Sequence, residues 1–296
     1  MLGTKSFTVT IKRAGWKPLV LTCGSQGSDL RGQCVIEEGS GTFKETAEIF
    51  IYGVNADHLK NYSSLGLHRG KTVQIPETVT VSVGKKILFV GDSYLTYADF
   101  SNYPDIGLKI SAVFGFSASM VQHESTYIKA DQNIKFQDAA RKLVNELNKD
   151  LGLSDPNARI TLQISSGLKT LRCPEMILTG TALHQLMDLA DAIGLRRIVD
   201  HRGAFFWEEG KTPPAYFLQK KPVMEAEIMK GYPMFTNEGV QFTTPEVGIY
   251  TIMDKIKLES SVPYATGTYY IDTLRTELST LPNGRWETTY VAFYDN

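Results

Sequence analysis

The segment of this chain best suited to covalent chemistry is Ile87-Leu88-Phe89-Val90-Gly91-Asp92-Ser93-Tyr94. An apolar strand that runs into Gly-Asp-Ser can present the serine hydroxyl at its end, where a neighbouring base would make it a nucleophile. That chemistry also needs a histidine held by an acid, and donors for the oxyanion. The histidines are His58, His68, His123, His184 and His201, and none has an aspartate three residues ahead of it. Without the base, the same segment reads as a strand followed by an ordinary Gly-Asp turn.

The Gly91-Asp92-Ser93 block resembles the first block of the GDS-type serine esterases, which would make Ser93 the nucleophile. The family's Gly-x-Asn-Asp block and its Asp-x-x-His are both missing here. The esterase therefore stands only as the alternative reading.

Other candidates fall away on spacing. No His-Glu-x-x-His occurs, and His123-Glu124 is only a dipeptide. A lone helical histidine such as His184 reads as packed or solvated rather than as a ligand. Asp188 and Asp191 read as a solvated helix face, not as an acid-base pair. Gly39-Ser40-Gly41 leads into a strand, the wrong context for a phosphate loop. Cys23, Cys34 and Cys173 are odd in number and form no Cys-x-x-Cys pair, which argues for reduced thiols and against zinc. No catalytic, cofactor-binding or metal site is expected.

Composition agrees with a folded structural chain. Hydrophobic residues make up 42% and charged residues 21% of 296 residues, values of a folded protein. The 31 basic and 32 acidic residues leave a net charge of -1, with no general attraction to nucleic acid or anionic membrane. The first residues lack the apolar core of a signal peptide, and no run reaches the roughly 18 apolar residues of a membrane span. A protein made and folded in the cytoplasm is expected.

The N-terminal region reads as strands. Phe7, Val9 and Ile11 alternate with Thr8, Thr10 and Lys12. Further strands are expected over 18–22, 43–54, 71–83 (Val73, Ile75, Val79, Val81 and Val83), 86–91 and 108–116. Short strands between turns suggest a barrel or sandwich. The middle changes period. Phe136, Ala140, Leu143, Val144 and Leu147 predict a helix over 135–151 stopped by Gly152. Leu183, Leu186, Leu189 and Ala190 predict another over 181–193 stopped by Gly194, followed by a hairpin over 195–207. After the charged, Pro-rich stretch 208–214, strands return at 240–244, 255–259, 268–276 and 286–293. The expected fold is mainly β with an α+β insert: residues 1–125, an insert at 126–214, and residues 215–296.

Two further patterns concern faces. Ile252, Ile256 and Leu258 share one face of a strand, with Asp254 as the exception; Met253, Lys255, Lys257 and Glu259 share the other. The first face should be core and the second wet. Tyr264, Tyr269, Tyr270, Tyr290 and Tyr294 suit either barrel core or a subunit interface.

Three blocks in the last third carry a resemblance. They are Gly231-Tyr232-Pro233-Met234-Phe235-Thr236-Asn237-Glu238-Gly239-Val240, then Lys257 through Tyr269 with its Glu259-Ser260-Ser261, and Pro282-Asn283-Gly284-Arg285-Trp286. In this order they resemble the baseplate hub proteins of contractile-tailed bacteriophages, as does the helix end Ala192-Ile193-Gly194-Leu195 before its hairpin. The usual Asn-Pro is replaced by Thr244-Pro245. The resemblance implies two tail-tube-like β-barrel domains flanking a small helix-containing domain. It implies a homotrimeric ring in the virion's tail baseplate, joining the tail tube protein to the spike or puncturing protein beside other baseplate proteins. DNA would pass through its channel during genome ejection without sequence-specific binding, and no cofactor or catalysis is implied. A related contractile injection machine would use a similar protein.

Overall fold

The computed structural model describes residues 5–26, 28–39, 45–62, 77–101, 105–129, 133–153, 159–211, 213–218, 223–237, 239–260 and 263–294. Contacts divide the chain into two compact units, Met1–Gly39 with Phe43–Phe114 and Lys220–Asn296, and Ser40–Thr42 with Gly115–Gln219.

The first unit begins with β1 (Phe7–Lys12), β2 (Leu19–Cys23), β3 (Arg31–Gly39), β4 (Thr46–Tyr52), α1 (Ala56–Tyr62), β5 (Thr78–Val83), β6 (Lys86–Asp99) and β7 (Gly107–Val113). The second unit holds β8 (His123–Ile128), α2 (Phe136–Asp150), β9 (Leu162–Ile164), β10 (Met176–Gly180), α3 (Ala182–Ile193), β11 (Leu195–Asp200) and β12 (Gly203–Glu208). The first unit resumes with β13 (Met234–Phe235), β14 (Gly239–Thr244), β15 (Lys255–Leu258), β16 (Gly267–Ser279) and β17 (Trp286–Tyr294). The expectation of a mainly β chain with an α+β insert holds.

The first unit is built on one sheet with the order β13-β14-β17-β16-β3-β4-β7-β6-β5-β1-β2, and β15 adds to β16. Its central joint is β16. The strand pairs with β15 from Gly267 to Tyr270, passes an irregularity between Ile271 and Thr273, and then pairs with β3 from Thr273 to Ser279. β17 follows it along both parts. N- and C-terminal strands are therefore neighbours in one hydrogen-bonded ladder.

Alternation places the core. Phe7, Val9 and Ile11 are buried with Leu21, Ile49, Ile51, Val79, Val81, Phe89, Leu108 and Ile110, and Leu278 of β16 joins them. Trp286 of β17 packs on this core, with its ring 6.4 Å from that of Phe7. The other ends of β16 and β17 serve a second group of buried side chains. Tyr290 lies 5.2 Å from Phe242 and 5.6 Å from Tyr250, ring to ring, and Tyr269, Ile256 and Leu258 are also buried. Long strands can serve two cores because side chains stay on one face only while the pleat is unbroken. Met224 bridges to Leu258, and Lys230 N–H donates to the Thr243 carbonyl, so this segment runs from β15 to β14.

In the second unit both expected helices form. Thr181 caps α3 by accepting from His184 N–H, and Gly194 ends it with φ 72°. β11 and β12 form the expected hairpin, and β9 adds parallel to β12. β8 and β10 make a separate antiparallel pair. Phe136 of α2 meets Phe206 of β12 at 5.4 Å. Buried Asn148 donates to the carbonyls of Val144 and Ile160 and accepts from Ile160 N–H, so its burial leaves no amide group unpaired.

Several elements depart from expectation. β3, α1, β8, β10 and β13 are absent from the pattern read in the sequence, while β9 answers to a strand expected over 160–164. On the buried face of β3, Gly32, Cys34 and Ile36 alternate with Arg31, Gln33, Val35 and Glu37, and only Ile36 is large and apolar. Expected strand residues 43–44 and 71–76, with Val73 and Ile75, lie outside the described residues. The strand expected over 252–259 is shorter. Met253 takes φ 64° and is buried rather than wet, so the alternation begins only at Lys255.

Candidate functional site

Ser93 lies inside β6, not at a strand end. β6 changes partner here. Lys86 to Asp92 pair with β5, and Asp92 to Asp99 pair with β7. A bulge between Ser93 and Leu95 accompanies the change. At Gly91 any side chain would meet the Val113 backbone and Phe89. The Gly-Asp-Ser block is thus a corner where a strand passes between two neighbours, the usual work of a glycine and a bulge in a curved sheet. This corrects both sequence readings, the nucleophile loop and the simple turn. Ser93 is 1% exposed and its Oγ meets no hydrogen-bond partner among the described residues, while its N–H donates to the Glu77 carbonyl. A nucleophile needs a base within hydrogen-bond reach, and among the described residues this hydroxyl has none.

The other singled-out residues also stand apart. His123 Nε2 sits 2.7 Å from Asp150 Oδ2, tying β8 to the end of α2. His184 is exposed on α3, His58 is half-buried on α1, and His68 lies outside the described residues. Asp188 and Asp191 are exposed, and Asp191 pairs with Arg197. Cys23, Cys34 and Cys173 are buried and unbridged. Burial pushes the Cys23 thiol up to about 12 and Cys173 to about 11, and raises Cys34 too. Raised thiols are poor nucleophiles and poor metal ligands. Among the described residues, no three His, Cys, Asp or Glu are grouped to hold a metal ion, and no helix is long and apolar enough to cross a membrane.

What remains is surface. The tyrosines divide: Tyr269 and Tyr290 are fully buried, while Tyr264 is 84% and Tyr294 42% exposed. The core reading thus holds for Tyr269 and Tyr290. β15 alternates as expected, with Ile256 and Leu258 buried and Lys255 and Lys257 exposed. Around β13, Tyr232, Met234 and Phe235 are all exposed, at the edge of the sheet. Large apolar side chains gathered on a sheet edge mark a contact surface. In the sequence they stand only within the Gly231–Val240 block, where three large apolar side chains around Pro233 are the available signal. On the outer face of the β8–β10 pair, Tyr127 and Ile177 lie directly opposite each other and are exposed.

No family model matches the chain, and no curated protein matches its sequence. Solved structures do match its fold. A tail protein from Neisseria meningitidis MC58 aligns over 98% of this chain and 97% of its own, with TM-score 0.62 and 10% identity. The 43 kDa tail protein of prophage MuSo2 from Shewanella oneidensis aligns over 97% of both chains, with TM-score 0.56 and 9% identity. The chain has a phage tail-protein fold. A third protein with this tail-protein fold comes from E. coli, matched over 97% of this chain and 77% of its own, with TM-score 0.56 and 8% identity. It is a component of the type VI secretion system with structural similarity to the T4 bacteriophage tail proteins gp27 and gp5. At these identities the likeness is one of fold. The likeness to tail proteins thus spans 97–98% of the chain.

Proposed function

We propose that this protein is the baseplate hub of a contractile phage tail, a structural part rather than an enzyme. Three copies form a ring that joins the hexameric tail tube to the trimeric spike and lines the channel for genome ejection. Each copy supplies two tube-like barrels, built from residues up to Phe114 and from the C-terminal segment after residue 219. Three copies then offer six similar barrels to a sixfold tube, and heterologous contacts that close give such a ring.

The observation that carries this reading is the near end-to-end fold match with tail proteins, 97% or more of both chains for two of them. The exposed lysines of β15 support a polar channel wall, which DNA can pass without sequence-specific contact. Ser93, buried at a strand corner, supports the absence of catalysis. The likeness to a type VI secretion component favours one second reading, the equivalent part of a related injection machine.

The test is a reconstruction of the tail particle that carries this protein. We expect three copies between tube and spike. Six or twelve equivalent copies would make it a tube or wedge component instead, and attachment to a secretion-type sheath would favour the second reading.

A further inference from the structure

The first unit carries a surface cleft of about 1030 Å³, lined by residues of that unit. Its walls are turns. One is the β5–β6 turn, one the loop after β14, and one the β16–β17 turn with the start of β17. Two of these are fixed by local contacts. Thr244 Oγ1 donates to the Glu246 carbonyl at 2.7 Å, and a Cβ at Gly248 would come 2.8 Å from Leu88, so the loop after β14 lies on β6. Gly284 N–H donates to the Leu281 carbonyl at 3.0 Å, and Asn283 takes φ 61°, which closes the β16–β17 turn. The cleft is therefore formed before any ligand arrives, and less ordering is lost on binding.

Its lining joins apolar surface to positive charge. Val83, Val247 and Trp286 line it and pack on the first core. Four cations, Lys5, Lys86, Lys230 and Arg285, share it with two carboxylates, Glu246 and Glu287. Glu287 is already engaged by Lys230 and lies 4.0 Å from Arg285. The four cations are all exposed. The chain as a whole has net charge -1, so this positive excess is local to the cleft.

We propose that the cleft binds an extended acidic segment of a partner protein. Carboxylates of that segment meet the exposed cations, and an apolar side chain between them covers Val83, Val247 and Trp286. The volume is at the upper end of ordinary ligand pockets, roughly 300–1,000 Å³, and far exceeds what one carboxylate or phosphate fills. A nucleic-acid strand fits less well. It brings a phosphate with every nucleotide, and Glu246 and Glu287 repel such a row. Carboxylates spaced by neutral residues avoid them. The site is independent of the hub reading.

Selection of random twelve-residue displayed peptides on the full chain tests it. The retained peptides should be rich in Asp and Glu around a Phe, Leu or Trp. A labelled copy of the best one should bind by fluorescence anisotropy and weaken as salt rises. Replacing its apolar residue by Ser should weaken it too. Lys86→Glu with Arg285→Glu should raise its Kd about tenfold or more. Lys5→Ala with Arg285→Ala should give a smaller loss, and takes the place of that variant if reversed charges prevent folding. Lys142→Glu with Lys149→Glu changes two exposed lysines of α2, in the second unit, and should leave binding unchanged. Neutral or basic peptides, no retained peptide, or undiminished binding by the cleft variants overturns the proposal. So does displacement by tripolyphosphate or oligothymidine at the concentration of unlabelled peptide that displaces, which would make the cleft a phosphate site.

Discussion

A Cβ added at Gly91 would stand 2.9 Å from both the carbonyl carbon and the carbonyl oxygen of Val113 on β7, and 2.5 Å from Phe89 Cζ. The backbone of β6 passes this close because it is leaving β5 for β7. Gly91→Ala must push apart two strands, since backbone cannot yield as a flexible side chain can. We expect a loss of about 1–3 kcal/mol in urea denaturation, the range for forced overpacking. An unchanged midpoint would mean that the corner is looser than this geometry.

Ser93, two residues on, should behave in the opposite way. Its buried hydroxyl has no partner among the described residues, so it is desolvated without return. Ser93→Ala should leave stability unchanged or raise it, by up to about 1 kcal/mol. Neither protein should hydrolyse simple esters. Hydrolysis that disappears in the variant would restore the esterase.

Glu77 couples stability to pH. Its side chain is almost fully buried against Arg13, whose guanidinium carbon lies 4.9 Å from the ring centres of both Trp16 and Tyr62. Burial raises the Glu77 carboxyl above its ordinary range and outweighs the lowering by Arg13. The folded state therefore holds this proton more tightly than the unfolded chain does. The resulting stability is complete below the unfolded value of about 4.3 and is lost as pH rises through the folded value. The stability of the native protein relative to Glu77→Gln should fall across that window. Urea denaturation at a series of pH values reads it, and a difference that grows with pH would show the ion pair dominating instead.

On β15, neighbouring residues should respond very differently. Leu258 is fully buried, and Leu258→Ala should cost about 2–5 kcal/mol through lost burial and a cavity. Lys257 pairs with Glu259 at 2.6 Å, with both side chains about half exposed. Such a pair is worth little, so Lys257→Ala should change stability by less than about 0.5 kcal/mol. Similar losses at both positions would mean that the lysine face is covered.

Strands and helices were readable wherever period and apolar size agreed. α2 and α3 have long stripes and glycine stops, and β1 alternates large apolar with polar residues. β3 was hidden because its inward positions include Gly32 and Cys34, small enough to pass between neighbours but silent as a hydrophobic signal. β6 was cut short because Gly91-Asp92-Ser93 has the composition of a turn, although its backbone continues. As for the candidate surface, the Gly231–Val240 block carried the resemblance, but its sequence did not reveal an open edge.

The sequence by itself determined the class of the protein: mainly β, with a helical insert, and near-neutral. Those properties follow from local period, composition and spacing. Tertiary structure decided what distant segments do together. It turned a nucleophile-like block into a strand corner, divided the tyrosines between core and surface, and joined Thr273–Ser279 to Gln33–Gly39 in one ladder. Strand pairing is non-local: backbone hydrogen bonds form between any two strands in register, so the neighbours are chosen by packing in three dimensions and not by the residues of either strand alone.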